Sequence, residues 1–583
     1  MSTPRRKLIN DPEKLIEELV AGMISAHPEH LCVRGETGRA IVALNGPRDG
    51  KVGIVVGGGS GHEPAFAGYV GCGLADAAPL GNIFASPSPS QIMDAGFAAD
   101  GGAGVLFLYG NYTGDVMNFG MAEEGLAEEG ITARSFVVTD DIASAPSDRV
   151  TERRGIAGDF FVFKVAGAAA DLGLQLQDVE SAAKRANDAT RTMGVALAPC
   201  IMPQTGKANF DLPAGEMEIG MGIHGEPGIE RRPAESADAV ADRLLEPIVA
   251  ELSLGKGDRV AVLVNGLGST SLLELYILHR RVADVLADRA VEIYMSWVGE
   301  YCTSLDMEGA SITVMKLDSD LQRWLDHPCD TPALRVGATL TNRSSPTRNN
   351  QARSARKKRA SVDRAQLKTD GQITPDVFCT LMEASAKAIY AERDRLSELD
   401  GAIGDGDHGL TMEIGWKAVM NVIEAQDGSA TITELCEDIA EAFLEAVGAS
   451  AGPLYSSAFQ SAGHAVSDRL NLDACAMVAW LEGMAAGIVQ RGGAEVGDKT
   501  MIDAWSPAIA SAREKLEAGG STAECLAAAA HAASLGAAET KDLVSKRGRS
   551  KKLGERSRGH IDPGAESAAV MLRAWADTAK GSL

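Results

Sequence analysis

Three aspartates, Asp400, Asp405 and Asp407, fall within one short glycine-rich stretch, LDGAIGDGDHG (399–409). Carboxylates this close repel one another, and a cation is the natural remedy. A small cluster of hard oxygen ligands suits Mg2+, which keeps water and phosphate oxygens as its remaining ligands. The spacing does not fit an EF-hand, because no glutamate follows at the twelfth position of such a loop.

A second group of candidates precedes it. GGGSGHEP (57–64) follows the apolar run 52–56. A glycine-rich turn after a strand lets backbone N–H groups converge on an oxygen-rich ligand, and His62 stands where that loop ends. GNYTGD (110–115) also follows an apolar run, 105–109, which puts Asp115 at a strand-to-loop transition, where open α/β sheets bind ligands. A carboxylate there can accept a hydroxyl proton; it can equally cap the following helix. GIHGEPG (222–228) holds His224 in a turn between glycines and a proline. Imidazole can act as a nucleophile, and an exposed loop histidine has the same local sequence.

Two distal segments complete the set. GGAEVGDKTMID (492–503) reads as a polar loop opening a helix. GRS (548–550) and GERSRGHIDPG (554–564) read as a basic, glycine-rich loop whose arginines offer fixed forks for phosphate. Each by itself also reads as a solvated loop.

The elements that must position these residues differ along the chain. Runs 52–56, 105–109, 135–139, 260–264, 291–297 and 312–315 read as strands, and 242–253, through Pro247, as a helix. This alternation predicts sheets with helices packed on them. Beyond residue 374 the period changes. Ile432, Leu435, Ile439, Phe443 and Val447 recur at spacings of three and four, the stripe of an amphipathic helix. The texture returns over 473–490, and the alanine-rich run 525–538 allows close helix packing. This second body reads as all-α. Between the two, 342–364 carries basic residues from Arg343 to Arg364 against a single acid, Asp363, and cannot bury a core. The expected domains are therefore an α/β body over 1–338, a basic linker over 339–370 and a helical body over 371–583.

Composition bounds the reading. A chain of 583 residues is too long for one core. With 45% hydrophobic and 23% charged residues it is no disordered chain, collagen or membrane bundle. A net charge of -24 argues against a general nucleic-acid binder. Nine cysteines without a C-x-x-C pair read as reduced thiols, with no disulfide framework or zinc site. There is no long apolar run for a membrane span and no signal-peptide pattern. A cytoplasmic protein without nucleic-acid or membrane partners is expected.

In their order along the chain, GGGSGHEP, NYTGD, GIHGEPG, GDGDHG, GDKTM and GERSRGHIDPG resemble the dihydroxyacetone kinase family in its single-chain, ATP-dependent form, which includes tetrulose kinases. The resemblance spans essentially the whole chain. It implies an α/β ketose-binding body of two subdomains and a barrel of helices around the nucleotide. It also implies that His224 forms a covalent hemiaminal with the substrate ketone, that Asp115 is the general base on the hydroxyl to be phosphorylated, and that His62 bonds the substrate and assists. Gly59, Ser60, Gly61 and Gly110 would line the substrate. Asp400, Asp405 and Asp407 would hold two Mg2+ ions against the phosphates of ATP. His408, Gly409, Leu410, Thr411, Ala451, Gly452, Gly492, Met501, Arg549, Asp562 and Gly564 would fall at or beside the nucleotide, and a homodimer is implied. The adduct makes chemical sense: a nitrogen nucleophile adds only to a carbonyl, so glycerol is rejected by reaction and not merely by fit. The reaction implied is in-line transfer of the γ-phosphoryl group to a terminal hydroxyl.

Two positions depart from the family pattern. Many dihydroxyacetone kinases have a lysine where this chain has Gly110; its loss is expected to open space for a ketose longer than three carbons, such as erythrulose. A small hydroxyl residue usually precedes the Gly-Pro-Leu of 452–454; here it is Ala451, with Ser450 one place earlier. Competing readings are a FAD-AMP lyase (cyclising) using the same nucleotide site, and a ligand-sensing regulatory protein. Intact His224, Asp115 and aspartate cluster weigh against a pure sensor. Fusion of both bodies, with no phosphocarrier domain attached, favours free ATP.

Overall fold

In the computed structural model, which describes residues 7–337, 367–426 and 428–582, the chain forms two units, one before and one after the undescribed segment 338–366. The expected linker lies mostly outside the described residues. By Lys368 the chain is already tied into the second unit, through a backbone bond from Lys368 N–H to Asp468 O.

Short apolar runs build the first sheet: β1 (Leu31–Arg34), β2 (Ala40–Ala43), β3 (Gly53–Val56), β4 (Gly58–Ser60), β5 (Ala77–Ile83), β6 (Val105–Gly110) and β7 (Ala133–Val138). The order is β1-β2-β5-β3-β6-β7, with β4 also on β5. Strands β5, β3, β6 and β7 run parallel. Both faces of this parallel part are covered, which is why β3 and β6 are apolar at almost every position. The period of two in β6 divides it between two cores. Phe107 and Tyr109 pack with Ile92 of α2 (Pro89–Ala99) and Phe119 of α3 (Thr113–Glu128), and Leu106 and Leu108 pack on the other side. There they meet α4 (Asp159–Asp171) and α5 (Leu176–Asp188); the N-terminal helix α1 (Leu15–Ala26) joins the same core.

The second sheet comprises β8 (Thr190–Ala198), β9 (Glu216–Ile219), β10 (Glu230–Pro233), β11 (Arg259–Gly266), β12 (Glu292–Gly299) and β13 (Glu308–Leu317). Its order is β10-β9-β8-β13-β11-β12, antiparallel except for β11 with β12. Helices α6 (Ala237–Glu251), running through Pro247, and α7 (Leu272–Asp288) cover one face. Helix α4 lies between the two sheets: Phe160 and Phe161 reach Trp297 of β12 at ring-centroid distances of 5.2 and 5.8 Å. A helix enclosed in this way must be apolar all round, and residues from Asp159 through Ala170 are buried. Helix α8 (Ser319–Asp326) closes this unit's helices.

Among its described residues, the second unit is built of helices. It runs α9 (Pro375–Gly401), α10 (His408–Glu424), α11 (Ile432–Ala446), α12 (Ala451–Ala465), α13 (Ala474–Gly492), α14 (Ile502–Glu517), α15 (Thr522–Glu539) and α16 (Pro563–Ser582). Local signals start these helices. Thr374 caps α9 with Pro375 behind it, Asp473 caps α13, and Thr431–Glu434 and Ser521–Glu524 form capping boxes for α11 and α15. Each helix packs on the next and α16 packs on α9, so the ring closes. The tryptophans Trp416, Trp480, Trp505 and Trp575 are fully buried inside it, with Trp480 and Trp575 5.3 Å apart. Up-and-down connectivity gathers the N-termini of α10, α12, α14 and α16 at one end.

Candidate active site

In the first unit the candidate residues converge where the two sheets meet. The loop after β4 carries His62, and the loop after β9 carries His224. Both are buried, at 1% and 8% exposure. Their Nε2 atoms lie 3.0 Å apart. His62 Nδ1 donates to the Thr303 carbonyl at 2.8 Å, and His224 Nδ1 faces Glu226 Oε1 at 3.0 Å. Behind Glu226, Arg154 Nη1 stands 3.9 Å from Oε2, while Arg154 Nη2 pairs with Asp141 at 2.7 Å. Phe84 stacks on His62 at 5.1 Å, and the Tyr112 ring meets His224 edge-on at 4.8 Å. Burial, reinforced by His224, pulls the pKa of His62 down to about 3, so this ring stays neutral.

Asp115 does not cap α3; Tyr112 occupies that position, and Asp115 sits in the first turn, 8% exposed. It therefore shares a loop with the ring that touches His224. The glycine-rich loop departs from the simple anion cradle expected of it. Gly58–Ser60 forms a short strand, the Ser60 hydroxyl donates to Gly81 O at 2.8 Å, and the Gly61 N–H goes to the Glu63 carboxylate at 3.1 Å. Several polar groups of this loop thus hold its shape, while Thr303 N–H and Leu305 N–H clamp it from the second sheet's side.

Gly110 does not open the space expected of it. A Cβ there would meet Gly155 O at 3.0 Å and the Tyr112 ring at 3.1 Å. Tyr112 and the Gly155 backbone fill the direction a side chain would take, so extra room for a longer ketose does not come from that point.

In the second unit the carboxylate oxygens of Asp400, Asp405 and Asp407 lie within 4.8 Å of one another. Asp400 ends α9, and its Oδ2 accepts from the N–H groups of Asp407 at 3.0 Å and His408 at 3.2 Å, curling the loop around itself. A side chain at position 404 would displace the Asp400 carboxylate, because a Cβ there would lie 2.2 Å from Asp400 Oδ1. This all-oxygen donor set fits Mg2+, and the neighbouring helix N-termini fit phosphate.

The nucleotide candidates gather at the same end. His408, Gly409, Leu410 and Thr411 form the first turn of α10; Ala451 and Gly452 begin α12; Gly492 ends α13; Met501 precedes α14; Asp562 and Gly564 flank the start of α16. Cross-links confirm the convergence. His408 Nε2 and Ser567 Oγ are 2.9 Å apart, and a Cβ on Gly564 would lie 3.1 Å from Asp562 Oδ2 and 3.6 Å from Met501 Cε. Burial, with Asp400 and Asp503 nearby, pushes the Asp562 carboxyl up to about 7. Ser450 precedes α12 but makes no side-chain cap bond, so the displaced hydroxyl does not serve that helix. Arg549 opens a 3-10 segment, Arg549–Ser557, and its side chain lies outside what is described.

Sequence reasoning passed over Glu226, Tyr112, Thr303, Ser567 and Lys499. Glu226 sits two residues from His224 in the same motif and was the most findable. Lys499, buried with φ +60°, donates to Thr540 O at 2.8 Å and pins the 540–560 segment.

Residues 21–333 match the Dak1 domain and residues 402–577 the DAK2 domain. The chain belongs to the dihydroxyacetone kinase family. It is 39% identical to D-erythrulose kinase of Mycolicibacterium smegmatis over 98% of each chain. It is 37% identical to L-erythrulose kinase of Pectobacterium atrosepticum, over 97% of this chain and 95% of that one. Among solved structures it is similar to the dihydroxyacetone kinase from C. freundii in complex with AMP-PNP and Mg2+, with a TM-score of 0.52 and 29% identity over 98% of this chain and 99% of that one.

Proposed function

We propose that this chain, a ketose kinase using ATP and Mg2+, phosphorylates a terminal hydroxyl of a tetrulose such as erythrulose through a hemiaminal on His224. The similarity to erythrulose kinases along nearly the full length supports the substrate class. The observation that carries the mechanism is the buried line Glu226–His224–His62.

A carbonyl only accepts, so the His62 proton is on Nδ1 against Thr303, and Nε2 is left as an acceptor. Glu226 takes the Nδ1–H of His224 and so puts the nucleophilic pair on Nε2. In forming the adduct, Nε2 bonds the carbonyl carbon, and the carbonyl π pair moves onto oxygen, which takes a proton from solvent. The positive charge gained by the ring faces Glu226. His62 Nε2 is placed to accept from the new hydroxyl. Asp115 then takes the proton of the hydroxyl being phosphorylated. Asp400, Asp405 and Asp407 would hold two Mg2+ ions, which neutralise phosphate charge during transfer. His408, Gly452, Met501 and Asp562, with their neighbours in the same turns, would position the nucleotide. We place the ketose body at 1–338, the linker at 339–370 and the nucleotide body at 371–583. A cytoplasmic homodimer is the assembly proposed.

The test is ATP consumption with dihydroxyacetone, D- and L-erythrulose, glyceraldehyde and glycerol. Turnover of ketoses with glycerol inert is expected; no turnover of any ketose sinks the proposal.

A further inference from the structure

Asp159 is a carboxylate with no assigned task in an unusual place. It opens α4, the helix enclosed between the two sheets, and is 2% exposed. Its Oδ1 has no hydrogen-bond partner among the described residues. The preceding carboxylate, Asp140, shows the contrast: its two oxygens accept from Ile156 N–H at 2.9 Å and Gly158 N–H at 2.8 Å, bracing the turn into α4. A buried polar atom without a partner costs free energy on the order of 1–3 kcal/mol. A fold that retains one beside a substrate loop is holding it for a ligand.

The place lies against the loop that leads from β6 into α3. A Cβ put on Gly155 would lie 2.5 Å from Gly110 Cα and 3.0 Å from Asp159 Oδ1, so the bare Gly155 backbone lets the substrate loop and this carboxyl close on one point. The Asp115 charge is felt there as well. With the reacting hydroxyl at Asp115, as proposed above, the arm of the ketose that carries it lies toward Asp159. In dihydroxyacetone that arm is one carbon with one hydroxyl. In a tetrulose the longer arm has two carbons and two hydroxyls.

We propose that Asp159 is a specificity-determining residue that hydrogen-bonds the additional hydroxyl of a four-carbon ketose, next to the terminal hydroxyl that Asp115 faces. Burial, with Asp140 and Asp115 nearby, pushes its pKa well above the usual carboxylate range, which favours the protonated form, able to donate as well as accept. A site built to bond a hydroxyl discriminates against the analogue lacking it, because its own buried group is then left unpaired. Since that hydroxyl stands on a stereocentre, the same contact distinguishes D- from L-tetruloses.

The inference rests on the kinase reading and is tested by kcat/KM for dihydroxyacetone, D-erythrulose and L-erythrulose in wild type, Asp159→Ala and the shape-matched Asp159→Leu. The preference for the better tetrulose over dihydroxyacetone should fall by about ten-fold or more in both variants, and the D-to-L ratio should shrink with it. Asp159→Asn, which keeps a donor and an acceptor, should retain most of the preference. NMR of the product should show phosphate on the terminal carbon of the longer arm. A uniform loss on all three ketoses, an unchanged ratio, or phosphate on the shorter arm would overturn the assignment. If Asp159→Ala does not fold, Asp159→Leu decides. Wild type inert toward every ketose would instead overturn the kinase reading itself.

Discussion

The Nε2 atoms of His62 and His224, 3.0 Å apart, face each other from loops of two different sheets. Burial keeps the His62 ring neutral, with its pKa near 3, so it faces His224 with an acceptor nitrogen. In the proposed reaction that nitrogen awaits the hydroxyl formed when His224 attacks the ketone.

In that proposed reaction Glu226, bonded to His224 at Nδ1, is a positioning residue. Glu226→Gln can turn an amide donor toward Nδ1 and drive the His224 proton onto Nε2, removing the attacking pair. The expected loss in kcat/KM is about 100-fold or more, in the range seen when acid–base groups are disabled. Ketose adduct, read by intact-protein mass spectrometry, should fall in parallel, while nucleotide binding stays at the wild-type level. His224→Ala should abolish the adduct altogether. An unchanged adduct in Glu226→Gln would remove Glu226 from this role.

His62 sets a pH dependence of stability. In the unfolded chain it takes a proton near pH 6.5; in the folded chain it resists protonation down to about pH 3. Between those values the unfolded state binds more protons, so this group lowers stability as pH falls, by up to about 1.4 kcal/mol per pH unit. Denaturant melts of wild type and His62→Gln across pH 7 to 4 should show the wild type losing ground steadily. Parallel curves would mean His62 is protonated in the fold.

The carboxylate cluster should separate from adduct chemistry. Asp405→Ala should abolish turnover yet leave the ketose adduct on His224 intact. Gly404→Ala should do the same more mildly, because its methyl group displaces the Asp400 carboxylate; higher Mg2+ should partly restore it. Loss of the adduct in Asp405→Ala would mean that this cluster is not a dedicated metal and nucleotide site.

Trp575 anchors the helical ring against Trp480 and Trp505. Trp575→Ala should destabilise the second unit by about 3–5 kcal/mol. Calorimetry that showed a transition within 1 kcal/mol of wild type, on the same scale of large-to-small core changes, would contradict the packing.

Much of this was legible because it is local. The aspartates lie within one turn and one loop, and the capping signals and apolar stripe of α11 occupy neighbouring residues. The six strand runs read from the sequence all proved to be strands. β5 escaped notice because Pro79 and Gly81 break its pattern, and β8 because Arg191 and the threonines interrupt its apolar residues. Their strand state comes from pairing with distant partners, and such context overrides local preference.

The sequence by itself determined the two kinds of body, the carboxylate cluster and the glycine loops, because each depends on residues a few positions apart. Only the tertiary structure decided that His62 meets His224 across 162 positions, that Thr303 sets the His62 tautomer across 241, and that His408 joins Ser567 across 159. It alone filled the space beside Gly110 with Tyr112 and buried Asp159 with an unpartnered oxygen. Partners, protonation and burial are properties of the packed environment, and no spacing along the chain encodes which distant backbone will close over a side chain.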